Sequence, residues 1–149
     1  MLDLSDRLAV IVGGGAVAAR KARGLLDAGA ARVRVVSPTL ADNMPPGVEH
    51  LPGEYEPRHL DGASLVFAAT DRPEVNQAVV RDANRRGIWV NRADADEDAP
   101  GDFSTPAAFR EGELLITVSA GGSPALAATI RDGLRTRLEP RWVQMTAAM

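Results

Sequence analysis

The chain of 149 residues contains 17 basic and 20 acidic residues and no cysteine, and its pI is about 5.4. A slightly acidic protein without a basic stripe is not expected to bind nucleic acid. The lack of cysteine excludes disulfides, thiolate metal sites and a cysteine nucleophile. No apolar run approaches the roughly 20 residues that span a membrane. The N-terminus has no secretory signal pattern, so we expect a cytoplasmic protein that makes no membrane contact.

Residues 1–38 predict a strand–helix–strand unit. Leu8–Val12 is a short continuous apolar run, which is typical of a strand buried on both faces of a parallel sheet. Three glycines follow, and then residues 16–28 show helical periodicity up to Gly29, which is placed to end the helix. Arg32–Val36 predicts the next strand, which stops at Ser37. This pattern is the start of an α/β protein with a parallel sheet.

The next segments continue the same pattern. Residues 48–51 predict a short strand, and residues 64–69 predict a buried one. A helix follows, for which Asp71 is the favoured N-cap, and it runs to about Arg86. Residues 88–90 predict another strand.

The pattern changes after residue 94. An acidic loop leads into residues 103–109 and 113–118, which predict a β-hairpin. The last helix is predicted to begin with Ser123 as N-cap and Pro124 in its first turn, and Pro140 is predicted to end it. Four residues spaced four apart predict its buried stripe: Leu126, Ile130, Leu134 and Leu138. We therefore expect one domain over residues 1–94 and a smaller hairpin-plus-helix region over residues 95–149.

The glycine turn after the first strand matches the G-x-G-x-x-G/A fingerprint of dinucleotide-binding proteins. Gly13 permits the tight turn, Gly15 lets a pyrophosphate approach the main chain, and Ala18 allows close packing of the helix on the sheet. The N–H groups and the positive dipole end of the helix favour phosphate. The expected phosphate-binding residues are Gly13, Gly14, Gly15, Ala16 and Val17. The alternative is a turn whose glycines serve packing alone.

The position that carries an acidic ribose ligand in this fingerprint is Ser37 here. A serine can bind a ribose hydroxyl but does not distinguish well between NAD and NADP. Arg34 lies inside its strand and is not expected to bind a ribose phosphate. The choice between the two cofactors stays open on these residues.

Polar residues also follow the third long strand and the strand after it. Thr70, Asp71, Asn91 and Asp94 are expected at the carboxyl ends of parallel strands, where ligands of such sheets collect. A carboxylate beside a nicotinamide can take a proton while hydride leaves to the cofactor. The alternatives are that Asp71 caps a helix and that Asp94 is a solvated loop residue.

A third candidate site is the turn that precedes the last helix. Ser119, Gly121 and Gly122 precede a helix N-terminus, where main-chain N–H groups can bind a carboxylate. The alternative is a strand-to-helix turn with a good cap.

The sequence resembles the precorrin-2 dehydrogenase family, which includes the N-terminal part of bifunctional siroheme synthases. The resemblance runs from about Leu2 to Leu138. Four strings carry it, namely the glycine turn with Arg20-Lys21, Ala68-Ala69-Thr70-Asp71 with Asn76, Val90-Asn91 with Asp94, and Ser119-Ala120-Gly121-Gly122-Ser123-Pro124.

The resemblance implies a homodimer that oxidises precorrin-2 to sirohydrochlorin with NAD. It implies a Rossmann domain followed by a dimerisation region that contributes to the substrate site, and family members continue with a further helical segment. Asp94 matches the family's aspartate in dehydrogenation. Gly13, Gly15, Thr70 and Asp71 fall on its nucleotide-binding strings.

Two other functions remain open at this point. Some members of the family also insert ferrous iron, for which Asp94 would serve in the same pocket, although the sequence predicts no dedicated metal site. An NAD-sensing regulatory module has the same fold class but usually needs the acidic ribose residue that Ser37 replaces.

Overall fold

The computed structural model describes residues 3–93 and 101–147 and divides into two compact units, Met1–Ser104 and Thr105–Met149. The first unit is an α/β domain, as predicted. Its elements in chain order are β1 Leu8–Val12, α1 Ala16–Asp27, β2 Arg32–Val36, β3 Glu49–Leu51, a 3₁₀ turn at Pro57–Leu60, β4 Ala63–Ala68, α2 Pro73–Arg86 and β5 Trp89–Arg92.

The five strands form one parallel sheet in the order β3-β2-β1-β4-β5. Val12, the last residue of β1, pairs with Val36 on one side and with Ala68 on the other. β2 and β3 lie on one side of β1, and the chain then crosses to the other side to form β4 and β5. The carboxyl ends of β1 and β4 therefore lie at the point where strand order reverses, which is where ligands bind in such sheets.

The sheet is covered on both faces, and its central strand β1 is apolar and buried at every position. Ala9 and Ile11 of β1 pack with the cluster that holds Ala18, Ala22 and Leu25 of α1. Alternate residues of the same strand pack with Val79 and Ala83 of α2, since successive side chains of a strand point to opposite faces. α1 and α2 therefore cover opposite faces of the sheet.

The second unit consists of a hairpin and two helices. β6 Ala107–Glu111 pairs antiparallel with β7 Leu114–Val118, and α3 Pro124–Arg137 and α4 Pro140–Ala147 follow. Ser123 accepts a hydrogen bond from the Leu126 N–H (3.3 Å), which confirms the predicted N-cap. α3 ends at Arg137, shortly before Pro140, as predicted, but a further helix that the sequence did not predict follows it. Proline is tolerated in the first turn of a helix, and Pro140 begins α4.

The predicted buried stripe of α3 was wrong. Leu126, Ile130 and Leu134 are 52%, 40% and 45% exposed, and Leu138 is half-buried. Ala127 is the residue of α3 that is buried, because the helix packs on β6 and β7 through that side. Helical spacing identified an apolar face correctly but could not show that this face is exposed.

The division between the units lies after Ser104, whereas the sequence suggested one after Asp94. Asp102 accounts for the difference, because its carboxylate accepts a hydrogen bond from the Val90 N–H (2.8 Å) and its own N–H donates to the Val90 carbonyl (2.7 Å). The Phe103 ring packs edge-on against Phe67, with ring centroids 5.5 Å apart. Phe103 therefore belongs to the first unit and not to the hairpin.

Among the helices within residues 3–93 and 101–147, none has the length and apolar character needed to cross a membrane.

Candidate dinucleotide site

The turn after β1 requires glycine at position 13. Its φ is +123°, a region that L side chains rarely adopt, and its N–H donates to the Val36 carbonyl (2.9 Å). A Cβ atom at this position would overlap the carbonyl group of Ala69, at the end of β4. The turns after β1 and β4 are thus in direct main-chain contact.

Gly14 is enclosed by the segment that follows β2. A Cβ atom here would overlap the Thr39 carbonyl oxygen and the side chain of Ser37. The Ala41 N–H also donates to the Gly14 carbonyl (2.7 Å). Position 14, which the fingerprint leaves free, must therefore be glycine in this chain for packing reasons.

Gly15 differs from the two glycines before it. No described atom lies within 4 Å of a Cβ built on it, and Gly15, Ala16 and Val17 are all exposed. Gly15 is the N-cap of α1, and the first turn holds no acidic side chain. The first N–H groups of a helix have no partner within the helix. Open space before an uncapped N-terminus fits a phosphate, and Ala18 and Ala19, both fully buried, hold the helix on the sheet.

Ser37 lies at the end of β2, beside the glycine turn, and is 8% exposed. Its carbonyl accepts hydrogen bonds from the Gly53 N–H (3.3 Å) and bonds to His50 Nε2 (2.9 Å). Arg34 is paired with Glu49 (3.2 Å), which fits the expectation that it does not serve as a ribose-phosphate ligand.

The turn after β4 is built around Thr70. The Thr70 hydroxyl accepts a hydrogen bond from the Arg72 N–H (3.1 Å), and Arg72 is the N-cap of α2. The prediction that Asp71 caps this helix was therefore wrong: Asp71 is exposed and precedes the cap. Proline at position 73 places the helix start one residue later than the capping-box pattern suggested.

Sequence reasoning assigned no role to Asn76, although the residue belongs to the string that carries the resemblance. It is fully buried on α2 and is hydrogen-bonded to Thr70 at three places. A polar residue at a helical position that faces the core was the signal that could have identified it.

Asn91 lies at the carboxyl end of β5 and is 6% exposed. Its Nδ2 donates to the Phe103 carbonyl (2.6 Å), and its buried Oδ1 has no partner in the part of the chain that the structure describes. Asp94, the predicted catalytic residue, lies outside the described residues. The last described residue before it is Ala93, whose N–H donates to the Ala68 carbonyl at the end of β4 (2.9 Å).

Lys21 is the one lysine of the chain and lies on the face of α1 that covers the sheet. Its Nζ lies 5.3 Å from the centre of the Phe67 ring, a cation–π distance. Burial, followed by the nearby charge of Arg20, lowers the pKa of Lys21.

The other predicted ligands, Ser119, Gly121 and Gly122, are exposed residues of the second unit. Gly121 and Gly122 have φ values of +50° and +81°, and the Ser123 N–H closes the turn on the Ala120 carbonyl (2.8 Å). Residues 3–93 and 101–147 contain no group of three or more histidine or carboxylate side chains placed to hold a metal.

Comparison with known proteins places the first unit in a family. Residues 1–107 match the family model described as "Putative NAD(P)-binding". The chain belongs to this NAD(P)-binding family. The matched range covers every element of the parallel sheet and both helices that flank it.

Two similar proteins are siroheme synthases. The chain is 45% identical to that of Chromobacterium violaceum over 141 residues and 42% identical to that of Methylobacillus flagellatus over 152 residues. These alignments cover 91% and 98% of this chain but 29% and 32% of the two relatives. The chain therefore spans less than a third of the length of these relatives.

A solved structure described as "SirC, precorrin-2 dehydrogenase" has the same fold. It superposes with a TM-score of 0.80 and 28% identity, over 99% of this chain and 74% of that one. The resemblance to precorrin-2 dehydrogenases and siroheme synthases is thereby confirmed, together with the predicted α/β fold and its hairpin-plus-helix extension.

Proposed function

We propose that this chain binds NAD on its glycine turn and oxidises precorrin-2 to sirohydrochlorin, a step of siroheme synthesis. The observation that carries the proposal is the open N-terminus of α1 at Gly15, in a chain that is similar over its whole length to a precorrin-2 dehydrogenase. The siroheme synthase relatives support the same pathway.

The residues that would hold the cofactor are those of the carboxyl edge. The main-chain N–H groups of Gly15, Ala16 and Val17 would bind the pyrophosphate. Ser37 would lie near the adenosine ribose, with the turn at Thr70 and Asp71 on the opposite side of the glycine turn. We take NAD to be the cofactor, because position 37 carries no cation for a 2′-phosphate and Arg34 is bound to Glu49.

The oxidation removes one hydride and one proton from precorrin-2. NAD, when bound, supplies the hydride acceptor. The chain's own contribution is a base for the proton, and the resemblance assigns this role to the Asp94 carboxylate. Asp94 directly follows the residue that anchors the end of β5 to Ala68, so the chain enters this segment at the carboxyl edge of the sheet.

Precorrin-2 is a polycarboxylate, and the second unit offers a place for one of its carboxylates. The exposed turn of Ser119, Gly121 and Gly122 precedes the N-terminus of α3, where N–H groups and the helix dipole favour an anion. This assignment rests on the resemblance and on the local geometry of the turn.

We further propose that the protein is a homodimer and that the exposed apolar residues of α3 form part of its interface. Leu126, Ile130 and Leu134 form one continuous face at helical spacing, and Trp142 and Met145 of α4 are 52% and 63% exposed. Contiguous apolar surface of this kind marks interaction sites in soluble proteins. The cytoplasmic location stays a prediction from the sequence.

The proposed function is tested by incubating the chain with precorrin-2 under anaerobic conditions, with and without NAD. Formation of sirohydrochlorin only with NAD supports the dehydrogenase. A second assay with sirohydrochlorin and ferrous iron, but no NAD, tests iron insertion separately. Tight NAD binding without any turnover would favour a regulatory role instead.

A further inference from the structure

Both polar atoms of the Asn76 side-chain amide form hydrogen bonds with one residue, Thr70, in the turn after β4. Its Oδ1 accepts hydrogen bonds from the Thr70 N–H (3.1 Å) and the Thr70 hydroxyl (2.7 Å), and its Nδ2 donates to the Thr70 carbonyl (3.0 Å). The residue is 0% exposed. Burying an amide is unfavourable unless its polar atoms are bonded, so these contacts hold Thr70 in one conformation.

The helix itself does not need this side chain. Asn76 lies in the first turn of α2 after Pro73, and the N-cap position belongs to Arg72. The main-chain N–H of Asn76 donates to the Arg72 carbonyl (3.1 Å) in the ordinary helical manner. The amide therefore serves the turn and not the helix.

The turn that Asn76 fixes forms one wall of the proposed cofactor site. The Ala69 N–H donates to the Val12 carbonyl (2.8 Å), and a Cβ on Gly13 would lie 3.1 Å from the Thr70 nitrogen as well as overlapping Ala69. Main chain from β4 is thus packed directly on main chain of the glycine turn. A displacement of Thr70 would change the space above Gly13.

The hydroxyl of Thr70 is also committed inside the protein. Its single proton has two acceptors within the protein, Asn76 Oδ1 (2.7 Å) and the Arg72 carbonyl (3.1 Å), and the hydroxyl oxygen accepts a hydrogen bond from the Arg72 N–H (3.1 Å). A dinucleotide at this edge would therefore contact the main chain of the turn and would not accept a hydrogen bond from the Thr70 hydroxyl.

We propose that Asn76 is a positioning residue for the dinucleotide, which it affects only through Thr70 and the turn that Thr70 anchors. The inference rests on the proposed function, in which NAD lies on the glycine turn. In enzymes, a misplacement of about 1 Å caused from a distance can lower the reaction rate by about 100-fold. We expect Asn76→Ala to weaken NAD binding by at least about ten-fold.

The test measures the NAD dissociation constant of the full chain by calorimetry, at a temperature at which circular dichroism shows each variant folded. Val79→Ala is the matched control, because Val79 is also fully buried on α2 but contacts the apolar core. It should lower the melting temperature and leave NAD affinity within about two-fold. The comparison separates positioning from a general loss of stability.

Thr70→Val tests the route of the effect and serves if Asn76→Ala does not fold. It removes the hydroxyl at nearly constant volume and should weaken NAD binding. Thr70→Ser keeps a hydroxyl at this position and should bind NAD as the unaltered chain does. The double variant should bind NAD no more weakly than Asn76→Ala alone, since both changes act on one turn.

The outcomes distinguish the inference from the function on which it rests. No NAD binding by the unaltered chain would overturn both. The inference alone would be overturned if the unaltered chain binds NAD and folded Asn76→Ala binds it with an affinity within about two-fold. If Asn76→Ala does not fold, Thr70→Val takes its place in this comparison. Fully additive losses in the double variant would contradict action through Thr70.

Discussion

The side chain of Ser37 lies directly against Gly14, so that a Cβ atom on Gly14 would stand 2.5 Å from the Ser37 hydroxyl oxygen. The segment after β2 is thereby held on the glycine turn, and the Ala41 N–H bonded to the Gly14 carbonyl holds it there a second time. The three consecutive glycines consequently differ in their surroundings. Gly13 and Gly14 make room for neighbouring residues, whereas Gly15 faces open space, where we propose that the pyrophosphate binds.

Gly14→Ala should destabilise the fold. The new methyl group would overlap the Thr39 carbonyl, which cannot move away without disturbing the turn. Overpacking of this kind costs about 1–3 kcal/mol. Urea denaturation followed by circular dichroism measures the loss of stability. An unchanged midpoint would show that the segment after β2 can move away from position 14 without loss of stability.

Gly15→Ala should leave the fold nearly intact but weaken NAD binding by at least about ten-fold. The φ of Gly15 is −79°, which alanine adopts, and the added methyl meets no described atom. Replacing glycine by alanine at an N-cap costs about 1 kcal/mol or less. The methyl group would occupy the space through which a pyrophosphate approaches the main chain. Calorimetric titration with NAD measures the effect.

Gly24→Ala is the control for this variant, because Gly24 lies in the interior of α1 with open space around it. It should raise the free energy of unfolding by about 0.5–1 kcal/mol and leave NAD affinity unchanged. Equal NAD affinity in Gly15→Ala and Gly24→Ala would refute the assignment of the phosphate site.

Asp94→Ala should abolish the oxidation of precorrin-2 and leave NAD affinity within about 1 kcal/mol, because the carboxylate is assigned to proton transfer and not to the cofactor. Asp27→Ala, at the exposed far end of α1, is the matched control and should retain full turnover. The rate of NADH formation and the NAD dissociation constant are the two measurements. Normal turnover in Asp94→Ala would remove this residue from the mechanism.

Ile130→Glu should convert the proposed dimer into a monomer. A charge placed in the middle of the exposed apolar face of α3 would have to be buried without a partner on association, which typically costs several kcal/mol. Thr136→Glu adds the same charge to another side of the same helix and should remain dimeric. Sedimentation equilibrium distinguishes the two, and a monomeric unaltered chain would contradict the proposed interface.

The sequence predicted most accurately those elements whose local signals agree with their surroundings. β1 and β2 have the predicted bounds, because the apolar run of β1 is stopped by glycine and the valine-rich segment of β2 by Ser-Pro. Gly29 and Gly87 end their helices with positive φ. The glycine turn was predicted for the same reason. Here a strand, a turn and a helix each carry their own signature.

The remaining features depend on contacts with residues of other elements or loops. Phe103 reads as the start of a hairpin, but its ring packs on Phe67 of β4. Leu126, Ile130 and Leu134 have the spacing of a buried stripe, yet they are exposed. Asn76 looks like an ordinary helix residue until its three bonds to Thr70 are seen. Hydrophobic periodicity shows which face of a helix or strand is apolar, but not which residues pack against that face.

The most direct test of the account follows precorrin-2, NAD and the purified chain under anaerobic conditions, recording the absorbance of sirohydrochlorin and of NADH in the same cuvette. We predict that both products form only when all three components are present, in equal amounts, since each oxidation transfers one hydride. Sirohydrochlorin formed without NADH, or no product despite saturable NAD binding, would contradict the assignment of this chain as an NAD-dependent precorrin-2 dehydrogenase.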